Sequence, residues 1–96
     1  MKRIVRLTFK EEHVAQFLRF FQERQEAIRS VTGCEHVELW RDVSDPTTFY
    51  TFSLWKSEAD LNAYRHSEFF KNTWSVVKPW FNLKPFAFSA HELPLT

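Results

Sequence analysis

Tyrosine and tryptophan side chains are the residues of this chain best suited to ligand chemistry. Each combines a flat apolar ring with one polar group that needs a partner when the ring is buried. The aromatic residues that should converge come from a predicted strand, the helical region after it and the segment beyond: Tyr50, Phe52, Trp55, Tyr64, Phe69, Phe70, Trp74 and Trp80. Such a set, placed between a sheet and a helix, predicts a pocket for a flat, partly polar aromatic ligand.

Packing in the core is a simpler explanation for some of these side chains, because large apolar residues usually fill the interior of a domain. We favour that interpretation for Phe52, Phe70 and the nearby Leu61, although Phe52 stays a candidate contact. The candidate substrate contacts are Trp55, Tyr50, Phe52, Phe69, Trp74 and Trp80.

The histidines and the cysteine are weaker candidates for chemistry. Cys34 and His36 are two residues apart on a predicted strand, so they should share a face that a metal ion could use. No second pair of ligands accompanies them, so we predict no metal site and an inert, buried Cys34 thiol. His13 and His91 are expected at the surface, and a surface position at a helix break is also favoured for His66.

Composition excludes several classes of function. The single glycine, Gly33, excludes the glycine-rich loops that bind nucleotide phosphates, so any catalysis would proceed without a recognisable cofactor motif. Net charge is only +1, without a block of like charge, and predicts neither a nucleic-acid surface nor a membrane surface. The lone cysteine cannot form an internal disulfide, which predicts a reducing compartment, the cytoplasm.

Hydrophobic periodicity assigns these residues to strands and helices. Alternation predicts strands over residues 3–9, 34–43, 49–55 and 86–93, and helical spacing predicts helices over about 10–30 and 57–78. His66 and Ser67 could interrupt the second helix. The β-α-β-β-α-β order is the ferredoxin-like topology, an α+β fold in which helices cover one face of a four-stranded antiparallel sheet. Residues 1–96 are predicted to form one domain.

The second face of the predicted sheet should not face solvent. In the second strand, one face should carry Val37, Leu39 and Val43, and the opposite face His36, Glu38 and Trp40. Hydrophobic residues make up 44% of the chain, which is more apolar surface than a monomer of this size buries easily. We therefore expect a two-fold homodimer that packs this sheet face against a second copy.

The segment from Trp55 to Phe70 reads Trp-Lys-Ser-Glu-Ala-Asp-Leu-Asn-Ala-Tyr-Arg-His-Ser-Glu-Phe-Phe. Ser57, followed three residues later by Asp60, predicts a helix N-cap. The order of Trp, Ser, two acidic residues, Leu, an aromatic residue, Ser and Phe resembles the signature of the antibiotic biosynthesis monooxygenase superfamily. The resemblance extends over nearly the whole chain and includes Gly33-Cys34 and Asp45-Pro46.

This resemblance implies a dimeric α/β barrel in which two sheets face each other, with one pocket per subunit between sheet and helices. It also implies oxidation of aromatic polyketides or quinols by molecular oxygen, with no metal, flavin or haem cofactor. In such a pocket Trp55 and Tyr64 would orient the ring of a small aromatic substrate, and His66 or Arg6 would stabilise its phenolate. The candidate catalytic residues are therefore Tyr64, His66 and Arg6.

The sequence departs from the family pattern at two positions. Many members have histidines where Tyr64 and Phe69 stand here, so histidine-dependent chemistry does not carry over. The haem-degrading branch uses asparagine, tryptophan and an iron-binding histidine at positions that correspond to Val5, Tyr64 and Trp74, which argues against that branch.

Two other classes of protein share features with this chain. A non-catalytic dimeric domain that binds a small hydrophobic ligand is the alternative to an enzyme, because a fold does not determine an activity. An RNA-recognition module has the same order of elements. It is excluded because the predicted third strand has aromatic residues but neither basic residues nor glycine around them.

Overall fold

Four strands and three helices make up the fold in the computed structural model, which describes residues 1–95. In chain order they are β1 (Lys2–Thr8), α1 (Val14–Arg29), β2 (Cys34–Arg41), β3 (Thr48–Trp55), α2 (Glu58–Arg65), α3 (Glu68–Val77) and β4 (Phe86–Ala90). Short 3-10 turns, Glu11–His13 and Lys78–Trp80, precede α1 and follow α3. The predicted α+β, ferredoxin-like order is confirmed, and the second helical region is two helices.

The strands form one antiparallel sheet in the order β2-β3-β1-β4. Its register decides which side chains share a face, because residues directly opposite one another point the same way. Val5 lies opposite Thr51 and Ala87, whereas Ile4 lies opposite Phe52 and Phe88. The Val5 row packs towards the helices and defines the inner face, and the Ile4 row defines the outer face.

Helix α1 covers the inner face with apolar residues at helical spacing. Phe17, Phe21 and Ile28 are its buried residues, while its charged residues other than Arg24 are exposed. The ring of Phe17 stacks on Phe9 with centroids 4.1 Å apart. The rest of this buried cluster consists of Leu7, Val37, Phe49 and Val77. This packing fixes α1 over the strands.

Serine caps begin both α2 and α3. The Ser57 hydroxyl accepts a hydrogen bond from the Asp60 amide at 3.1 Å, and the Ser67 hydroxyl accepts one from the Phe70 amide at 3.1 Å. Each bond satisfies an amide that has no partner within its helix. The predicted cap at Ser57 and the predicted interruption near His66 and Ser67 are confirmed. None of the helices within residues 1–95 is long and apolar enough to cross a membrane.

Two strands end earlier than predicted. Strand β2 stops at Arg41, because the Asp42 carboxylate accepts hydrogen bonds from the amides of Ser44 and Asp45 at 2.9 and 3.0 Å and begins the turn. Val43 is therefore fully exposed in that turn and does not continue the strand face, as was predicted. Strand β4 ends at Ala90, where its pairing with β1 reaches Lys2.

The prediction that Cys34 and His36 share a face is wrong. A β-bulge between them places Cys34 opposite Trp55 on the inner face and His36 opposite Leu54 on the outer face. A bulge adds one residue to one strand, so the alternation of faces reverses across it. The two side chains therefore cannot act together on one ligand.

Candidate active site

A cavity of about 410 Å³ opens between the inner face of the sheet and the helices. Small-molecule sites usually measure ~300–1,000 Å³, so the volume suits a ligand of several rings. Strands β1 and β3 form its floor, and residues from α1, α2 and α3 form its walls. The walls are mainly apolar and include Phe17, Trp55, Leu61, Tyr64, Phe70 and Trp74.

Four of these side chains form a continuous aromatic wall, made of Trp55, Tyr64, Phe70 and Trp74. Trp55 stacks on Tyr64 with ring centroids 5.2 Å apart, and Tyr64 meets Phe70 edge-on at 5.1 Å. Phe70 and Trp74, four residues apart on α3, stack at 5.8 Å. The wall therefore presents successive ring surfaces to the cavity, which is the geometry that holds a flat ligand.

Trp55 is held in place by its own strand. Its side chain is only 1% exposed, and its Nε1 donates a hydrogen bond to the Ser53 hydroxyl at 2.9 Å. Because Ser53 already satisfies the indole nitrogen, Trp55 can contact a ligand only through its ring.

The Tyr64 hydroxyl is a polar group of the aromatic wall that is free to bind a ligand. Within residues 1–95 it makes no hydrogen bond to another side chain or to the backbone. Burial, with a smaller contribution from the charge of Cys34, raises the pKa of Tyr64 to about 12. At neutral pH the hydroxyl is therefore protonated, so it can donate a hydrogen bond but cannot serve as a base.

Positive charge lines the cavity through Arg3, Arg24 and Arg65. The Arg24 guanidinium donates to Thr73 Oγ1 at 2.9 Å and lies 4.7 Å from the centre of the Phe20 ring. Burial, and secondarily the charge of Arg65, lower the pKa of Arg3. Fixed positive charge beside an apolar site favours the anionic form of a bound acid.

The structure brings three of the nine predicted site residues into the cavity: Trp55, Tyr64 and Trp74. Phe69 packs beside the core, where the Arg24 guanidinium lies 5.5 Å from its ring. Trp80 lies beyond α3 and stacks on His13 at 6.0 Å. These two aromatic residues do not line the cavity.

The other four predicted residues lie on the far side of the sheet or at its surface. Arg6, Tyr50 and Phe52 belong to the outer face, because their positions alternate with those of Val5 and Thr51. The Tyr50 hydroxyl donates to Asp42 Oδ1 at 2.8 Å, and Phe52 stacks on Trp40 at 5.0 Å.

His66 is exposed, and its Nδ1 lies 2.7 Å from the Asn62 carbonyl oxygen of its own helix. His66 therefore occupies a surface position at a helix break, the interpretation favoured from the sequence. Neither His66 nor Arg6 is positioned to stabilise a phenolate in the cavity.

Sequence reasoning missed the arginines of the cavity and placed Phe70 in the core. Arg3 has the same parity as Val5 and Leu7 on strand β1, so the alternation that defined the strand also pointed to its position. Arg65 follows Tyr64 at the end of α2, and its contact with the cavity carries no signal in sequence. Phe70 does line the cavity, contrary to the core assignment.

The histidines offer no ligand for haem iron. Among residues 1–95, none of the cavity-lining side chains is a histidine, and no three histidine, cysteine or acidic side chains come together. Trp74 stands on the cavity wall where the haem-degrading branch would need an imidazole.

The family profile described as antibiotic biosynthesis monooxygenase matches residues 1–74. The chain belongs to the antibiotic biosynthesis monooxygenase family. The match runs from β1 into α3 and ends at Trp74, so it includes all of the aromatic wall. No curated protein matches the sequence.

Solved structures share the fold of this family member. A crystal structure of an antibiotic biosynthesis monooxygenase superposes with a TM-score of 0.89 at 22% identity, covering 97% of this chain and 98% of the other. Rv0793 from Mycobacterium tuberculosis gives 0.86 at 15% identity, covering 98% and 95%. PA3566 from Pseudomonas aeruginosa gives 0.84 at 19% identity, covering 97% and 93%. At these identities the likeness is one of fold.

Proposed function

We propose that the chain is a cofactor-independent monooxygenase that oxidises a quinol-like or polyketide-like aromatic with molecular oxygen. The observation that supports it best is the aromatic wall of Trp55, Tyr64, Phe70 and Trp74 inside a cavity of about 410 Å³, in a member of the antibiotic biosynthesis monooxygenase family. The wall suits a planar substrate, and the family supplies the expectation of oxygen chemistry.

The substrate provides the electrons in this reaction. A bound phenol or anthrone loses a proton, and the electron-rich anion adds O₂ at carbon to give a hydroperoxide on the substrate itself. An anthrone-type methylene then becomes a ketone, and the second oxygen atom leaves as water with the hydrogens that the methylene has lost. The protein has to hold the ring flat and favour the anion.

Two residues would carry these tasks. The ring of Trp55, buried and fixed by Ser53, orients the substrate. Tyr64, protonated because its pKa is about 12, donates a hydrogen bond to the developing phenolate oxygen. Tyr64 thereby takes the role that the sequence suggested for His66 or Arg6.

Oxygen consumption by metal-stripped protein tests the proposal. With hydroquinones and anthrone as substrates, uptake should exceed the autoxidation background and should fall at least about tenfold in Trp55→Ala and Tyr64→Phe. Tyr50→Phe is the matched control, because it removes a tyrosine hydroxyl from the outer face.

Each alternative outcome has a definite meaning. Uptake that survives in both cavity variants would remove Trp55 and Tyr64 from the site. Tight binding of the same compounds without oxygen uptake would mean that the chain is a ligand-binding domain and not an oxygenase.

We also propose that two copies associate through their outer sheet faces. Trp40, Phe86 and Phe88 are 39%, 53% and 44% exposed there, beside Ile4 and Phe52. Such a row of large apolar side chains is costly to leave in water, and burying it against a two-fold copy removes that cost. The predicted two-sheet barrel would result.

A further inference from the structure

Two of the arginines that line the cavity come from separate elements. Arg3 lies on the inner face of β1, and Arg65 is the last residue of α2. Arg65 is exposed, Arg3 is half-buried and Trp55 is buried, so Arg65 marks the open end of the cavity and Trp55 marks its interior.

The third arginine is already satisfied by the protein. Arg24 donates to the side chains of Thr73 and Asn72 at 2.9 and 3.2 Å, and its guanidinium packs over Phe20. Its donors therefore serve to join α1 to α3. The same explanation does not apply to Arg3 and Arg65.

Arg3 and Arg65 lack an acidic partner within residues 1–95. None of the ion pairs among these residues involves Arg3 or Arg65. The Arg3 guanidinium donates a side-chain hydrogen bond only to the neutral Ser89 hydroxyl, at 3.1 Å. The lowered pKa of Arg3 reflects burial and repulsion from Arg65. An anion that contacts both guanidinium groups would relieve that repulsion.

We propose that Arg3 and Arg65 bind the carboxylate of an aromatic acid whose ring system occupies the cavity against the aromatic wall. The proposal rests on the proposed function in taking the same cavity as the substrate site. A carboxylate fits better than the phenolate itself, because Arg65 lies at the open end of the cavity, whereas the reacting ring would lie among Trp55, Tyr64 and Phe70. Planar guanidinium groups also match the paired oxygens of a carboxylate.

Calorimetric titration with two ligands of one shape tests this substrate class. Anthraquinone-2-carboxylate and anthraquinone-2-carboxamide share their rings and differ in charge, and neither is oxidised by O₂ under these conditions. The wild-type chain should bind the carboxylate about tenfold tighter or more, and higher ionic strength should weaken that ligand alone. Equal affinity for the two ligands would overturn the proposal.

Variants test which residues cause the preference for the carboxylate over the carboxamide. Arg3→Gln combined with Arg65→Gln should bring the two affinities to within about twofold of each other, with carboxamide binding unchanged as evidence of an intact cavity. Arg19→Gln, which removes an exposed arginine of α1 outside the cavity, should keep the wild-type preference. A preference that persists in the double variant would assign the anion to other residues. If the double variant binds neither ligand, the proposal is judged by the affinities of the wild-type chain for the carboxylate and the carboxamide.

The oxygenase proposal and this one can fail separately. Binding of the oxidised anthraquinones does not depend on turnover, whereas oxygen uptake by hydroquinones does not require a carboxylate. A charge preference without uptake would leave a domain that binds aromatic acids. Uptake without a charge preference would leave an oxygenase for neutral aromatics.

Discussion

The Asp60 side chain fills the space that a β-carbon on Gly33 would occupy. A β-carbon built there would lie 2.5 Å from Asp60 Oδ2, and the backbone of Gly33 has φ +85°. The Gly33 carbonyl also accepts a hydrogen bond from the Lys56 amide at 2.9 Å. The only glycine of the chain thus joins the α1–β2 turn to the start of α2, which leads towards Tyr64.

Gly33→Ala should lower the free energy of unfolding by about 2–3 kcal/mol, because it combines an unfavourable φ with a steric overlap. Urea denaturation would measure the loss. Asp60→Gly should relieve the overlap, so the double variant should be less destabilised than the sum of the single variants. Strict additivity would show that the contact does not matter.

The serine caps give a second prediction. Ser57→Ala and Ser67→Ala should each reduce the free energy of unfolding by about 1 kcal/mol, because each leaves a helix amide without its acceptor. Ser75 is the matched control, since its hydroxyl only donates to the Asn72 carbonyl on the exposed side of α3. Ser75→Ala should change stability by less than about 0.5 kcal/mol, and a loss as large as that of the caps would contradict the assignment.

Tyr64 should ionise late. The chain has two tyrosines, so in Tyr50→Phe the ultraviolet signal of tyrosinate reports Tyr64 alone. We expect that signal near pH 12 in the folded protein and near pH 10 in denaturant. Titration near pH 10 in the folded state would mean that water reaches the Tyr64 hydroxyl freely.

The same pKa shift makes stability depend on pH in a definite direction. The folded pKa of Tyr64 is raised, so the contribution of its neutral form is fully present below pH 10 and is lost as pH rises towards 12. The difference corresponds to roughly 2–3 kcal/mol. Tyr64→Phe should remove this part of the alkaline loss of stability.

Association through the outer face can be tested by one charge. Phe88→Glu should convert a homodimer to a monomer in light-scattering measurements of mass, because it would bury a carboxylate between two apolar faces. Val43→Glu adds the same charge in a fully exposed turn and should leave the mass unchanged. A dimeric Phe88→Glu variant would place the interface elsewhere.

Sequence patterns predicted the elements better than they predicted the faces of the strands. In strand β3, alternation separates Tyr50 and Phe52 from Trp55, but large aromatic residues occur on both faces, so the pattern did not show which face meets the helices. The bulge after Cys34 depends on pairing with β3, which a single strand cannot reveal. By contrast, Ser57 and Ser67 bond to amides only three residues away, so the starts of α2 and α3 could be predicted from the sequence.

Strand β3 lends itself to engineering because neighbouring positions serve different surfaces. Thr51, Ser53 and Trp55 line the cavity, whereas Tyr50, Phe52 and Leu54 take the outer face. A mutagenesis library restricted to the odd-numbered positions from 51 to 55 would therefore vary which ligand the cavity binds, and one restricted to the even-numbered positions from 50 to 54 would vary contacts of the outer face with other molecules. Six consecutive residues, 50–55, hold two separately adjustable properties.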